Sequence, residues 1–227
     1  MKSKFAKPAG KPAGPDTDEA KARFSAEMAY GDSVFQYALG NAQDSIEAAY
    51  RALEFLPTYA PGLLTVGADE YLQGEHEKGM SRFLTLVNLP GTEPDLARII
   101  DNAGDMLIGA KAYKDGLTLY RAAAARFSDL AVLHQGTGCC AGHLGLHDEA
   151  IAASRRALEI EPDNQKFVSD LGFTLIEAGQ LEEAEKELLR AVAMDPKDGR
   201  AAANLEYCRE KIKAAAKLPP PKRGSKE

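Results

Sequence analysis

A spacing of 34 residues organises the second half of this chain. In the stretch that holds Leu171, Gly172, Leu175, Gly179, Ala184, Leu188, Ala191 and Pro196, small, branched and turn-forming residues stand in a fixed order. One period earlier the same places hold Gly138, Gly145, Ala150, Ala157 and Pro162. A further period back they hold Gly104, Leu107, Tyr113, Gly116, Tyr120, Ala123 and Ser128. A period of this length means helical hairpins, each burying its apolar face on the next, rather than one compact centre.

Each recurring residue type has a physical task. Gly172 and Ala184 are small where the two helices of a hairpin cross closely. Leu175, Leu181 and Leu188 fill the space around that crossing. Gly179 ends the first helix, since glycine accepts the left-handed conformation of a helix C-terminus. Pro196 stops the second helix. Further upstream Gly67, Gly74, Gly79, Phe83 and Leu86 fit a copy that starts near Ala60. Gly67 and Gly104 are three residues further apart than the period, and the turn Leu89 to Pro94 takes the insertion. The first copy is the weakest, with Ser33 at the small position and Gly40, Ala52, Leu53 and Pro57 in register.

The pattern resembles the tetratricopeptide repeat. The resemblance implies an all-α, right-handed α-solenoid of stacked antiparallel helical hairpins, with about five repeats. In register these are 26–59, 60–96, 97–130, 131–164 and 165–198, in one continuous array. A capping helix over 199–217 follows, its apolar residues Ala202, Leu205, Ile212 and Ala216 recurring at helical spacing.

Charge is unevenly distributed. Residues 1–14 hold four lysines and no acid, and residues 211–227 hold six bases against Glu227. The segment between has fifteen more acids than bases. An acidic body argues against an extended nucleic-acid surface, which needs cations on the folded part. The ends, 1–20 and 218–227, read as disordered basic tails that solubilise the chain or touch a polyanion without specificity. No apolar run approaches the ~20 residues of a membrane span, and the N-terminus has no signal-like apolar segment. Cys139, Cys140 and Cys208 give no disulfide framework, because adjacent Cα atoms stand about 3.8 Å apart and a bridge wants about 4.4–6.8 Å. Reduced cysteines make a cytoplasmic setting the simpler reading.

His134, Cys139, Cys140, His143 and His147 lie within fourteen residues. Cys139 and His143 share a helix face, whereas His134, Cys140 and His147 have places in the packing pattern. A tetrahedral site needs four convergent ligands, so no metal or other cofactor is expected. A regulatory subunit or small metal-dependent enzyme built on this cluster is the alternative. No nucleophile constellation and no phosphate-binding loop is visible, so catalysis is not expected.

The resemblance implies that first helices line a concave groove. The groove-facing positions hold Tyr30, Val34 and Tyr37 in the first copy, and Leu64, Ala68 and Tyr71 in the second. They hold Arg98, Asp101, Asp105 and Ile108 in the third, Gln135, Cys139 and His143 in the fourth, and Lys166, Ser169, Phe173 and Glu177 in the fifth. The groove then has an aromatic N-terminal half, where Tyr30, Tyr37 and Tyr71 converge, and a polar C-terminal half. Each tyrosine can instead pack between repeats. Members that clamp acidic chaperone C-termini need lysine and asparagine where this chain has Asp101 and Asp105, or Tyr30 and Val34. Two aspartates would repel a terminal carboxylate, so that function is rejected. The implied function is a non-catalytic interaction module, an adaptor, scaffold or assembly chaperone that takes a protein or peptide segment in the groove. The weak first copy also offers a face for association of two copies.

Overall fold

The computed structural model describes residues 17–216. The expected tails lie largely outside the described residues. Among the described residues there are eleven α-helices and no strand. Five hairpins follow one another: α1 (Asp18–Ala38) with α2 (Ala42–Phe55), α3 (Ala60–Leu72) with α4 (His76–Asn88), and α5 (Leu96–Gly109) with α6 (Tyr113–Arg126). Next come α7 (Ala131–His143) with α8 (His147–Ile160), α9 (Gln165–Glu177) with α10 (Leu181–Met194), and the closing helix α11 (Gly199–Ala216). The chain divides into two compact units, one ending at Glu93 and the other beginning at Pro94.

The first hairpin starts earlier than the register implies. Thr17 accepts a hydrogen bond from the Ala20 amide at 3.3 Å. Asp18 and Glu19 occupy the first turn. Both features stabilise a helix N-terminus. Residues 18–20, assigned to the N-terminal tail from sequence, are therefore helical, and α1 has 21 residues where α3 has 13. The first unit continues to the turn that carries the insertion. There Arg23 of α1 donates two hydrogen bonds to the Glu93 carboxylate, at 2.6 and 3.1 Å. Glu70, almost fully buried, accepts from Tyr50 and Arg82 and so joins α2, α3 and α4.

In the second unit the first helices α5, α7, α9 and α11 pack side by side, and α6, α8 and α10 lie between their neighbours in sequence. The closest approach is at Tyr120, whose side chain is 1% exposed. A Cβ placed on Gly104 of α5 would stand 2.2 Å from this ring, and one on Gly136 of α7 would stand 2.3 Å from it. The ring thus fills a slot that exists because both neighbours lack a side chain. Its hydroxyl donates to the carboxylate of Asp101 at 2.9 Å. In the last hairpin Leu188 covers Gly172 in the same manner, a Cβ there falling 2.5 Å from the leucine. Leu171, Leu175, Ile176, Ala184 and Leu188 continue this core into α11 through Leu205 and Cys208. The face that α11 buries is Ala201, Leu205 and Cys208, with Ile212 partly covered. Ala202 and Ala216, expected inside, are exposed; the stripe runs through Cys208, a small hydrophobe.

The first helices end in a left-handed residue. Gly40, Gly74, Gly145 and Gly179 hold φ of 82°, 91°, 72° and 74°. Lys111 takes the same place after α5 with φ 59°, a conformation that costs an L-residue roughly 1–2 kcal/mol. Lys111→Gly is therefore expected to raise stability by up to about 1 kcal/mol, net of the entropy that glycine loses on folding. Urea denaturation measures it, and a loss of stability would contradict the assignment of strain to this site.

Gly136→Ala is expected to cost about 1–3 kcal/mol or more by overpacking against the Tyr120 ring. Gly142→Ala, on the same helix with its nearest neighbour 3.9 Å from an added Cβ, should be neutral or stabilising by under about 1 kcal/mol. Equal effects in chemical denaturation would show that the tyrosine slot does not limit the packing.

Candidate functional site

Side-by-side packing of α5, α7, α9 and α11 leaves a cleft of about 470 Å³ on their common face. Asp105 and Ile108 enter it from α5. Gln135, Cys139 and His143 enter from α7, and Lys166, Asp170, Phe173, Thr174 and Glu177 from α9. Arg200 reaches it from the start of α11. The helical repeat explains the grouping, since residues three or four apart share a face.

The floor is held by a polar chain that spans three helices. The Gln135 side-chain amide donates to Asp170 at 2.7 Å, and the Arg200 guanidinium donates to the other Asp170 oxygen at 2.7 Å. Burial pushes the Asp170 carboxyl above its ordinary range, while Arg200 and Gln135 act in the opposite direction. One residue before Asp170, Ser169 is fully buried and its hydroxyl accepts from Asn204 at 3.4 Å. Asp105, Lys166 and Glu177 make no hydrogen bond or ion pair among the described residues. Phe173 presents 42% of its surface beside them. The cleft thus offers one apolar platform, two carboxylates and one ammonium to a ligand, on a braced floor.

The sequence-derived groove residues separate into two groups. Asp105, Ile108, Gln135, Cys139, His143, Lys166, Phe173 and Glu177 converge in this cleft. Asp101 and Arg98 do not line it. Asp101 accepts the Tyr120 hydroxyl, and burial raises its carboxyl despite that bond. Arg98 pairs with Asp95 at 2.9 Å, one turn before it. In the first unit the expected convergence of Tyr30, Tyr37 and Tyr71 is not found. Tyr71 is 5% exposed, stacked on His76 and tilted against Phe83, because the α3–α4 crossing takes its ring. Tyr30 packs edge-on to Tyr59, with its hydroxyl 3.0 Å from that of Thr65. Leu64 is half-buried, whereas Val34 and Tyr37 are exposed.

Asp170, Thr174 and Arg200 are cleft residues that sequence reasoning omitted. Arg200 was within its reach: one more period after Lys166 arrives at Arg200, the same register position in α11. Asp170 follows a position expected to face the groove, and its role emerges only from its two partners.

The Cys/His cluster disperses. His134 Nε2 lies 3.1 Å from the Ser128 carbonyl. His143 stacks on Tyr113 with ring centres 4.1 Å apart. Cys140 is fully buried, and burial pushes its thiol up to about 12. Burial also raises the half-buried Cys139 thiol. Among the described residues no three His, Cys, Asp or Glu side chains form a group that could hold a metal ion.

The comparisons with known proteins bear on the same architecture. A family model described as tetratricopeptide repeat matches residues 144–206. Over 61 residues the chain is 41% identical to the TPR repeat-containing thioredoxin TTL4 of Arabidopsis thaliana, a match that covers 27% of this chain and 9% of that protein. The chain thus spans less than a tenth of that relative's length. Among solved structures it is similar to YrrB, described as a TPR protein with an unusual peptide-binding site, at 17% identity and a TM-score of 0.57, covering 83% of this chain and 97% of YrrB. It is also similar to MamA, at 18% identity and a TM-score of 0.55, over 86% and 97% of the two chains. A thermophilic TPR protein of Thermus thermophilus, TTC0263, is similar at 22% identity and a TM-score of 0.51, over 82% and 99%.

Proposed function

We propose that this chain, which is a tetratricopeptide repeat protein, acts as a non-catalytic interaction module and takes an extended peptide segment of a partner protein in the cleft over α5, α7, α9 and α11. The observation that carries this reading is the composition of the cleft. An exposed aromatic, Phe173, stands among Asp105, Lys166 and Glu177, three charged groups with no hydrogen bond or ion pair among the described residues, on a floor fixed by Gln135, Asp170 and Arg200. Interface energy concentrates in a few aromatic or arginine anchors surrounded by polar contacts. A braced floor reduces the ordering that the module itself must undergo on binding. The peptide-binding site described for YrrB supports the same use of this fold.

The ligand is a segment of mixed polarity. It places an apolar side chain on Phe173, a cation near Asp105 or Glu177, and an acceptor near Lys166. As an adaptor or scaffold the chain would work in a reducing compartment, where its three free cysteines persist. No described helix is long and apolar enough to cross a membrane.

The test is selection from a displayed peptide library on the full chain, followed by titration of the selected peptides. Phe173→Ala is expected to weaken them by about 2 kcal/mol, roughly thirtyfold. Lys166→Glu should change which peptides are selected, and its effect should fade with added salt. Tyr37→Ala, on α1, should leave affinity unchanged. Peptides held equally by the parent and both cleft variants would place the binding site elsewhere.

A further inference from the structure

The first unit exposes an apolar stripe that the cleft does not use. On α1 and at its C-cap, Phe24, Met28, Phe35 and Leu39 are 63%, 62%, 58% and 59% exposed. Their spacings of four, seven and four residues place them on one helix face, with Gly31 in the seven-residue interval. The stripe is about 22 Å long at 1.5 Å per residue. Glycine weakens a helix interior, and a Cβ added to Gly31 would meet nothing within 4 Å. This chain's own packing therefore gives no reason for the missing side chain. A second helix against the stripe would give one.

The pattern is close to symmetric about Gly31. Met28 and Phe35 stand three and four residues from it, and Phe24 and Leu39 seven and eight. Two antiparallel copies of α1 would set Met28 against the partner's Phe35, and Phe24 against the partner's Leu39. Gly31 of each copy then lies at the axis, level with the partner's Asp32, where the missing side chains let the two helices approach closely. Asp32, beside the stripe at the axis, is already paired with Arg51 at 2.6 Å, so its approach to its own symmetry mate is compensated. The sixteen residues ahead of Thr17 contain only Met1 and Phe5 as large apolar residues, too few to cover four. At roughly 200 Å² for each large side chain, the stripe offers roughly 500 Å² per copy. A dimer then buries about 1,000 Å², the lower limit for a specific interface.

We infer that α1 is a self-association surface, on which two copies of the chain pair as a two-fold, antiparallel helix contact centred on Gly31. The contact is isologous, so it closes at two copies and leaves no free patch to grow from.

Sedimentation equilibrium of the full chain tests this over a concentration series from about 1 μM to several hundred. The parent is expected to move from the 24.4 kDa monomer to twice that mass. Met28→Glu combined with Phe35→Glu, confirmed as helical by circular dichroism, should stay monomeric throughout. Phe55→Glu combined with Leu72→Glu, at exposed apolar positions on α2 and α3, should dimerise like the parent. Gly31→Leu should weaken the dimer at least tenfold, because side chains at both axis positions would hold the two helices apart. A parent that is monomeric at every concentration, or a Met28→Glu, Phe35→Glu variant that dimerises like it, overturns the proposal. A Gly31→Leu variant of undiminished affinity overturns the contact centred on Gly31.

Discussion

The second unit is built around the ring of Tyr120. Two glycines on different helices, Gly104 and Gly136, give it space, and its thickness sets how closely α5 and α7 approach α6. Its hydroxyl cannot be buried without a partner except at a cost of about 1–3 kcal/mol. Asp101 is that partner. One large side chain thus fixes three helices and takes up a carboxylate that sits at a groove-facing register position. The groups that packing leaves unused are those further along the same faces, Asp105, Lys166, Phe173 and Glu177. The cleft is therefore a consequence of packing beneath it.

A second periodic device works on the other side of the stack. Arg121 of α6 donates to Glu149 of α8 at 2.7 Å, and 34 residues later Arg155 of α8 donates to Glu183 of α10 at 2.7 Å. Arg156 and Arg190, again 34 apart, each reach back to a carbonyl between hairpins, that of Ser128 or Pro162. The Arg121 bond holds the Glu149 carboxyl below its ordinary range. Such exposed pairs contribute little stability individually. Their value lies in register, since a slipped repeat would set arginine against the wrong neighbour.

Much of this was legible in the sequence because close crossings tolerate few residues. Gly172, Ala184 and Leu188 could be assigned from spacing alone, and Gly179 from the conformation that ends a helix. Register also fixes direction, so Asp105, Gln135, Lys166 and Phe173 come together in one cleft, whereas Arg98, Asp101 and Ser169, placed on the same face from sequence, do not line it. The aromatic half of the groove was not legible. A tyrosine satisfies both a packing slot and an interface, and only the neighbours decide; Phe83 and His76 take Tyr71, and Tyr59 and Thr65 take Tyr30. The early start of α1 was hidden by the repeat pattern, which carries no information about helix beyond its own frame. Arg200 was missed because α11 was read as a cap, although it also holds the next register position.

The two units thus differ in what they present: the second a braced polar cleft with one aromatic, the first an apolar helix face. The central claim is that ligand recognition resides on the first-helix faces of the second unit. Backbone amide NMR of the full chain, titrated with a library-selected peptide, tests it most directly. The account predicts saturable shifts concentrated at Asp105, Ile108, Gln135, Cys139, Lys166, Phe173 and Glu177, with α6, α8 and α10 surfaces unmoved. Shifts confined to those second helices, or to α1, would contradict it.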